Sequence, residues 1–371
     1  MKLNKSPGPD GLTLEFYRKF WSKVELLLIN SYNESYHKGE LSISQKKSLI
    51  SLLYKKDNPE KLDNWRPISL LNIDYKILAH ALANRLHNVL PSIISQDQQG
   101  FIKNRCIGSN IRLIQDIIDY TELLNCDGAI LLIDFKKAFD TIDWSFLFKS
   151  LKKFKFKECF IKWVNVMYSN ITSVISNNGW ISEPFNIKRG IRQGCPLSAL
   201  LFVIVAEVLA VKIRSSNMVE GIQIRTENQT HTIKICQLAD DTTLFLKNQH
   251  EITASLHIIE EYGIFSGLQL NRNKTEGLWL GRLRNIDLNM ENITFTNTFI
   301  KTLGVYFGHD HELCSRLNWE VKLNQIKEQL KRWEMRKLTF FGKIIVIKSV
   351  LLPKVTYILQ THLTLKNILI H

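Results

Sequence analysis

The sequence predicts an α+β fold, a sheet carrying helices on one face. AILLIDF, residues 129–135, is a continuous apolar run that ends on Asp134 and is too short for a helix, so it reads as a strand buried on both faces. HTIKICQLA and TTLFLK flank Asp240 and Asp241 as the arms of a hairpin, with the aspartate pair at or beside its turn. Segments with apolar residues at helical spacing lie around these strands. The order is strand, helices, strands, helix, hairpin, helix.

From the N-terminus, SPGPDGLTLEFYRKFW is a Pro/Gly turn followed by an amphipathic helix starting near Thr13. KKSLISLLYKKDNPEKLDNWRPISLLN alternates around a turn-rich middle and predicts a basic hairpin with Asn58 and Pro59 near its tip. Helical spacing follows over 74–90, and Pro91, which has no N–H to donate, is expected to end that helix. Asp143 is placed to cap a helix whose Trp144, Leu147, Leu151 and Phe154 share one side. A further helix is expected around 160–168, then a pair of strands over 173–187 turning at Asn178 and Gly179. GIRQGCPLS leads into the longest apolar run, 199–213, with Ser198 as its expected cap. Glu207 interrupts that run, which falls short of a membrane span and reads as a buried helix.

At 371 residues the chain exceeds the usual single domain, and two or three lobes are expected. Lysine and arginine total 49 against 35 aspartates and glutamates, a net charge of +14. Such an excess attracts polyanions, nucleic acid first and an anionic membrane surface second. The cysteines (106, 126, 159, 195, 236 and 314) are scattered, with no CxxC pair and no histidine at zinc-ligand spacing. Neither a disulfide framework nor a structural metal site is expected. The N-terminus lacks the apolar core of a signal peptide, so an intracellular location, nuclear or cytoplasmic, is expected. Without a secretory route the glycosylation-like triplets at Asn170 and Asn228 carry little weight.

Asp134 ends one predicted strand and Asp240 sits beside a tight turn; if the strands are neighbours, these carboxylates and Asp241 converge. Adjacent buried carboxylates repel strongly, and Mg²⁺ offsets that repulsion while keeping positions open for water and phosphate. Two such ions suit an in-line phosphoryl displacement. A plainer reading stands beside this one. Asp-Asp is common in exposed hairpin turns, and Asp134 would then only cap the next segment.

LLIDFKKAFDTIDW, IRQGCPLSALLF, QLADDTTLFL, GLQLNRNKTEGLWLG and IKTLGVYFG occur in the order and approximate spacing of the palm motifs of reverse transcriptases. NKSPGPDGLTLEFYRKFW, LDNWRPISLLNIDYKILAHALANRL and QDQQGFIKNR resemble the finger segments of LINE-type, non-LTR retrotransposon enzymes. The resemblance covers nearly the whole chain. It implies a right-hand polymerase arrangement: an antiparallel palm sheet backed by helices, helical fingers with a basic hairpin, and a partial helical thumb. The implied bounds are 1–128 for an N-terminal extension and fingers, 129–310 for the palm and 311–371 for the partial thumb, with the reverse transcriptase domain over about 36–308. The implied activity is RNA-directed DNA polymerisation, with an RNA template, a DNA primer and deoxynucleoside triphosphates as partners and no membrane. The oligomeric state stays open.

Carried over by position, the resemblance implies that Asp134 and Asp240 bind two Mg²⁺ ions, with Mn²⁺ able to substitute. Asp241 lies beside them, and the Phe135 carbonyl completes the shell. Arg66 is implied to contact the triphosphate, helped by Lys55 or Lys56; a surface salt bridge from Arg66 to Asp63 is the alternative. Gln193 and Gly194 are implied to pack beneath the nucleotide and template base. Phe139 would stand beside the sugar, unless it is an ordinary core residue. Lys274 would protonate the leaving pyrophosphate, or else be a solvated loop lysine. Leu303, Gly304 and Val305 belong to the hairpin called the primer grip, and a helix over 319–333 would begin the thumb. On that helix Leu323, Ile326, Leu330 and Trp333 would share a face, with Lys322, Lys327, Lys331 and Arg332 toward solvent. Two positions depart from the pattern: Ala199 stands where proline is usual, and Leu238 where an aromatic residue is usual. A non-catalytic nucleic-acid-binding remnant of a mobile element, favoured by an abrupt start and the terminal TLKNILIH, and an intron maturase are the other readings.

Overall fold

The computed structural model of the chain describes every residue except 56, 226–228, 286–289 and 360–371. The expectations for Lys56, Asn228 and TLKNILIH therefore lie outside the described residues. The chain opens with α1 (Leu14–Lys19), which follows Thr13, and α2 (Trp21–Lys38), ended by Gly39 in the left-handed region at φ +84°. A capping box between Ser42 and Gln45 starts α3 (Ile43–Lys46). The basic hairpin is present as β1 (Lys47–Tyr54) and β2 (Trp65–Leu71), with Leu53 opposite Arg66. α4 (Ile73–Ile93) does not stop at Pro91. The proline sits in the last turn, where it removes one backbone bond and little more.

After α5 (Ile107–Leu123), the predicted apolar strand appears as β3 (Gly128–Ile133), with Asp134 just beyond its end. The short α6 (Ala138–Thr141) precedes α7 (Trp144–Lys153), whose Phe146 N–H donates to the capping Asp143 carboxylate at 3.1 Å. α8 (Glu158–Tyr168) leads to β4 (Thr172–Asn177), which turns at Asn178 and Gly179 (φ +48° and +85°) into β5 (Trp180–Ile181). Two positive φ values in a two-residue loop are the mark of a type I′ hairpin. β6 (Phe185–Asn186) returns along β4. α9 (Ser198–Ser215) is the buried helix, but Ser198 does not cap it: Leu197 holds that place, and the Ser198 hydroxyl lies 3.3 Å from the Tyr168 hydroxyl.

HTIKICQLA divides at Lys234 instead of forming one arm. Its first part, β8 (Thr230–Ile233), pairs with β7 (Ile222–Arg225), and its second, β9 (Ile235–Leu238), pairs with β10 (Asp241–Leu246). α10 (Gln249–Ser266), β11 (Glu276–Leu280) and β12 (Thr294–Thr296) follow, then the hairpin β13 (Phe299–Thr302) and β14 (Val305–Gly308). α11 (His311–Glu334) starts well before Trp319, because Asp310 accepts the Leu313 N–H at 2.9 Å and caps it there. Cys314, Ser315, Asn318 and Trp319 bury against the fold, but farther along Leu330 is 48% exposed. The apolar face over 323–333 is thus only partly covered. α12 (Phe340–Val346) and α13 (Leu352–Leu359) complete the described chain.

The main sheet runs β12-β11-β3-β10-β9, antiparallel throughout except for β12, which lies parallel to β11 at the edge. A second sheet runs β2-β1-β4-β5, joined by parallel pairing of β1 with β4. The fold is α+β, with a largely antiparallel sheet, as the sequence predicts.

Helices cover both faces of the main sheet, not one. Along β3, Ala129, Leu131 and Ile133 join a large core with α4, α7, α9 and α10, while Ile130 joins a second core with α5, β14 and Trp319 of α11. β10 alternates in the same way, Leu244 and Leu246 against Phe245. The continuous apolar run at 129–133 is what two covered faces require.

Candidate active site

β3 and β10 are neighbours with Thr242 opposite Ile133. One step farther along the same register, Asp241 comes opposite Asp134, and the turn before β10 brings Asp240 to that end of the sheet. Burial pushes the Asp240 carboxyl above its ordinary range and the Asp134 charge adds to this, against its own backbone N–H, Arg66 and Lys55. Desolvation, then Asp240 and Asp134, push Asp241 up to about 6, with Lys55 opposing. Because Asp241 as a residue is exposed, we attribute most of its rise to the two like charges.

This repulsion is a stability statement. A carboxyl whose folded pKa exceeds its unfolded one costs nothing below the unfolded value and destabilises the fold as pH rises through the folded value. In the metal-free protein Asp241→Asn should therefore stabilise at pH 8 by about 1 kcal/mol, after discounting for exposure, and change nothing near pH 4. Denaturant unfolding in a chelator at both pH values checks this. An equal effect at the two would show that charge is not the cause.

Asp134 is held by a segment that follows α10. Asn271 Nδ2 donates to Asp134 Oδ2 at 2.7 Å, the Asn271 N–H donates to the Asp134 carbonyl at 2.8 Å, and the Asp134 N–H donates to Thr275 Oγ1 at 3.3 Å. Asn271 was missed by sequence reasoning although it lies in LNRNKT, beside Lys274; a short amide three residues from a candidate cation was the available signal. Lys136 N–H also donates to the Gln269 carbonyl, at 2.8 Å, so Phe135 and Leu270 face each other as a non-hydrogen-bonded antiparallel pair. In such a pair the intervening N–H and C=O point the other way. The Phe135 carbonyl is thus turned to the side of the strand where β10 lies.

A cleft of about 200 Å³ opens here, lined by Asp134, Asp241, Lys274, Lys301 and Leu303 among others. Leu303 and Gly304 form the turn of the β13–β14 hairpin (φ +52° and +75°), Val305 is buried beneath it, and the Tyr357 hydroxyl donates to the Leu303 carbonyl. Arg66 and Lys55 act on Asp240 from the basic hairpin. The alternative partner of Arg66 is engaged elsewhere: Asp63 pairs with Lys137 Nζ at 2.9 Å. That bridge ties the hairpin to the loop after Asp134.

Phe139, Gln193 and Gly194 form a second group. Gln193 Nε2 donates to Asp140 Oδ1 at 3.1 Å, the Ile191 N–H donates to the Phe139 carbonyl at 2.7 Å, and the Ser69 N–H donates to the Gln193 carbonyl at 2.8 Å. Burial raises the Asp140 carboxyl, with Gln193 and Lys137 opposing. Gly194, at φ +109°, would place a Cβ 2.6 Å from the Ser69 carbonyl, so the close approach that demands glycine here is to β2. Phe139 is half-buried and stacks on Phe202, centroids 4.5 Å apart. A cavity of about 180 Å³ separates this loop from β1 and β4, with Gln193, Asp140 and Arg189 on its wall.

Among the described residues no three His, Cys, Asp or Glu side chains make a ready cation cage. Mg²⁺ does not need one, because it takes one or two carboxylates and completes its shell with water and phosphate. The unrelieved repulsion at Asp240 and Asp241 and the turned Phe135 carbonyl fit that ion.

The family model described as reverse transcriptase (RNA-dependent DNA polymerase) matches residues 53–307. The Transposon TX1 uncharacterized 149 kDa protein of Xenopus laevis is 30% identical over 96% of this chain and 27% of its own length. The Retrovirus-related Pol polyprotein from type-2 retrotransposable element R2DM of Drosophila melanogaster is 26% identical over 74% of this chain and 25% of its own. The chain thus spans about a quarter of the length of these relatives. Among solved structures, apo telomerase from Candida tropicalis truncated from its C-terminal domain aligns at 13% identity and TM-score 0.48, covering 75% of this chain and 57% of that one. On the family match, which runs from the basic hairpin through the β13–β14 hairpin, the chain belongs to the reverse transcriptases.

Proposed function

We propose that the chain is an RNA-directed DNA polymerase of a non-LTR retroelement, adding deoxynucleotides to a primer 3′-hydroxyl on an RNA template. The observation that carries this reading is the convergence of Asp134, Asp240 and Asp241 at one sheet end, faced by Arg66 and Lys55. In the reaction the 3′-hydroxyl gives up its proton to water as its oxygen forms a bond to the α-phosphorus, the bond from that phosphorus to the bridging oxygen breaks, and pyrophosphate leaves. Asp134, Asp240 and the Phe135 carbonyl would hold Mg²⁺, with Asp241 beside them; when bound, that ion supplies charge stabilisation at the attacking and leaving oxygens.

The remaining work falls to side chains. Arg66 clamps the triphosphate through its planar fork, and Lys55 adds a second positive charge. Lys274, which lines the cleft, would give a proton to the departing pyrophosphate. Gln193, steadied by Asp140, and Gly194 support the base pair, and Phe139 walls the sugar. Leu303, Gly304 and Val305 grip the primer. In domain terms the fingers extend to residue 128, the palm covers 129–310 and thumb elements follow.

Primer extension on an RNA template, with and without divalent metal, tests the reading. A folded chain that extends nothing under any metal would defeat it. A companion measurement uses the net charge of +14. Affinity for unrelated primer–template duplexes should fall about a thousandfold between 50 and 200 mM salt, with little sequence dependence, because phosphate contacts release counterions and carry no base information. A nearly flat salt response would contradict an extended basic cleft. Among the described residues no helix is long and apolar enough to cross a membrane.

A further inference from the structure

We propose that Gln98 is a positioning residue that clamps the Ala239–Asp240 turn and thereby sets where the Asp240 carboxylate lies. The inference rests on the nucleotidyl-transfer reading for its consequence, and on the geometry of the turn for its substance.

β9 and β10 are joined through two residues, of which Ala239 has φ +57° and Asp240 has no positive φ. That pattern of signs belongs to a type II′ turn, whose first central position is normally glycine. A Cβ at this position strains the backbone, and such strain persists only where the surroundings over-determine it. Left to itself, the turn carrying Asp240 would relax.

Gln98 supplies the restraint. Its side chain is fully buried, and its Oε1 accepts the Ala239 N–H at 2.8 Å and the Gly100 N–H at 2.8 Å. Its Nε2 donates to the Ala239 carbonyl at 3.4 Å and to Gln237 Oε1 at 3.5 Å. Thus both polar groups of the strained residue meet one side-chain amide. Burying an amide is costly unless it is satisfied, and here it is satisfied almost entirely by the turn and the strand leading into it. Gly100 completes the fit, because a Cβ there would lie 2.4 Å from the Ala239 nitrogen.

The clamp is itself anchored. The Gln237 N–H donates to the Asp97 carbonyl at 2.8 Å and the Gln99 N–H to the Gln237 carbonyl at 2.9 Å, so 97–99 lies along the edge of β9. Arg105 donates to the Gln98 carbonyl at 2.7 Å and to the Ile94 carbonyl at 2.8 Å. The Asp97 side chain pairs with Arg214, which also holds the buried Glu207 at 2.6 Å. A side chain fixed at its root by these bonds can impose a conformation instead of following one.

The test compares Gln98→Leu with the double variant Gln98→Leu/Ala239→Gly. Glycine removes the strain, so the double variant should not need the clamp. Two readouts are used: primer extension, and amide hydrogen exchange of the free protein resolved at Ala239. For Gln98→Leu we expect exchange at Ala239 to rise about tenfold, the loss of one net hydrogen bond, with Leu244 in mid-strand unchanged. Extension should fall about a hundredfold, the cost of a small misplacement at the reacting centre, and the double variant should recover most of it. Unchanged exchange at Ala239, or a double variant no better than the single one, would overturn the proposal. If Gln98→Leu does not fold, Gln98→Met carries the same comparison with the same outcomes. A wild-type chain that extends no primer would defeat the polymerase reading alone; exchange at Ala239, measured without substrate, would still decide whether Gln98 holds the turn.

Discussion

Asp134→Asn and Asp240→Asn should each abolish primer extension while leaving the chain folded. The two carboxylates approach from different strands, and Asp240 is already raised by burial and by the Asp134 charge. Asparagine keeps the shape but removes the anion that would hold a divalent cation, so several kcal/mol of charge stabilisation disappears, about a thousandfold or more in rate. Stability should not suffer, because removing one of two repelling carboxylates relieves the site. Asp134→Asn also leaves an amide oxygen that can accept the Asn271 Nδ2 bond now seen at 2.7 Å. The measurement pairs extension rate with thermal unfolding for each variant. Extension surviving in either would remove that carboxylate from the chemistry. A loss that merely tracks unfolding would assign it a structural role.

The carboxylates were legible in the sequence because their signals are local. An apolar run ending in Asp134 and an aspartate pair between two strand-like segments need no tertiary information. The Asp143 cap was legible for the same reason, whereas the β13–β14 hairpin was expected only from the family resemblance. Long-range pairing was not. Ser48 meets Ser173 across the parallel β1–β4 junction, their hydroxyls 2.6 Å apart, and neither strand's own pattern names the other. The division of HTIKICQLA was hidden because Lys234 does not break the alternation; its ammonium instead donates to the Arg214 and Ser216 carbonyls at 2.9 and 3.0 Å. Gln98 was invisible as a site residue because its value lies in which backbone atoms it reaches, and Asn271 offered only its place near Lys274, since its reach to the Asp134 carboxylate depends on the fold. Residue type alone would class each as a surface amide, yet Gln98 is fully buried.

Phe139→Val should raise ribonucleotide incorporation relative to deoxyribonucleotide by about a hundredfold, the discrimination one hydroxyl permits in an apolar pocket. A ribonucleotide differs from its deoxy counterpart by the 2′-hydroxyl, and a fixed aromatic wall excludes that group both sterically and by leaving it without a hydrogen-bond partner. Two contacts would make such a wall rigid: the Phe139 ring lies 4.5 Å from that of Phe202 at an interplanar angle of 13°, and the Phe139 carbonyl is held by the Ile191 N–H at 2.7 Å. The same stacking means that the residue also supports the core. Losing one aromatic pair costs about 0.5–1.5 kcal/mol beyond its area, so the variant should melt a few degrees lower without unfolding at the assay temperature. Valine is therefore more informative than alanine, which would open a larger cavity beside Phe202 and mix the two effects. The decisive quantity is the ratio of kcat/KM for the two sugars, because a purely structural loss lowers both by the same factor and leaves the ratio alone. An unchanged ratio in a folded, active Phe139→Val chain would return Phe139 to the core and leave sugar selection to another wall of the pocket.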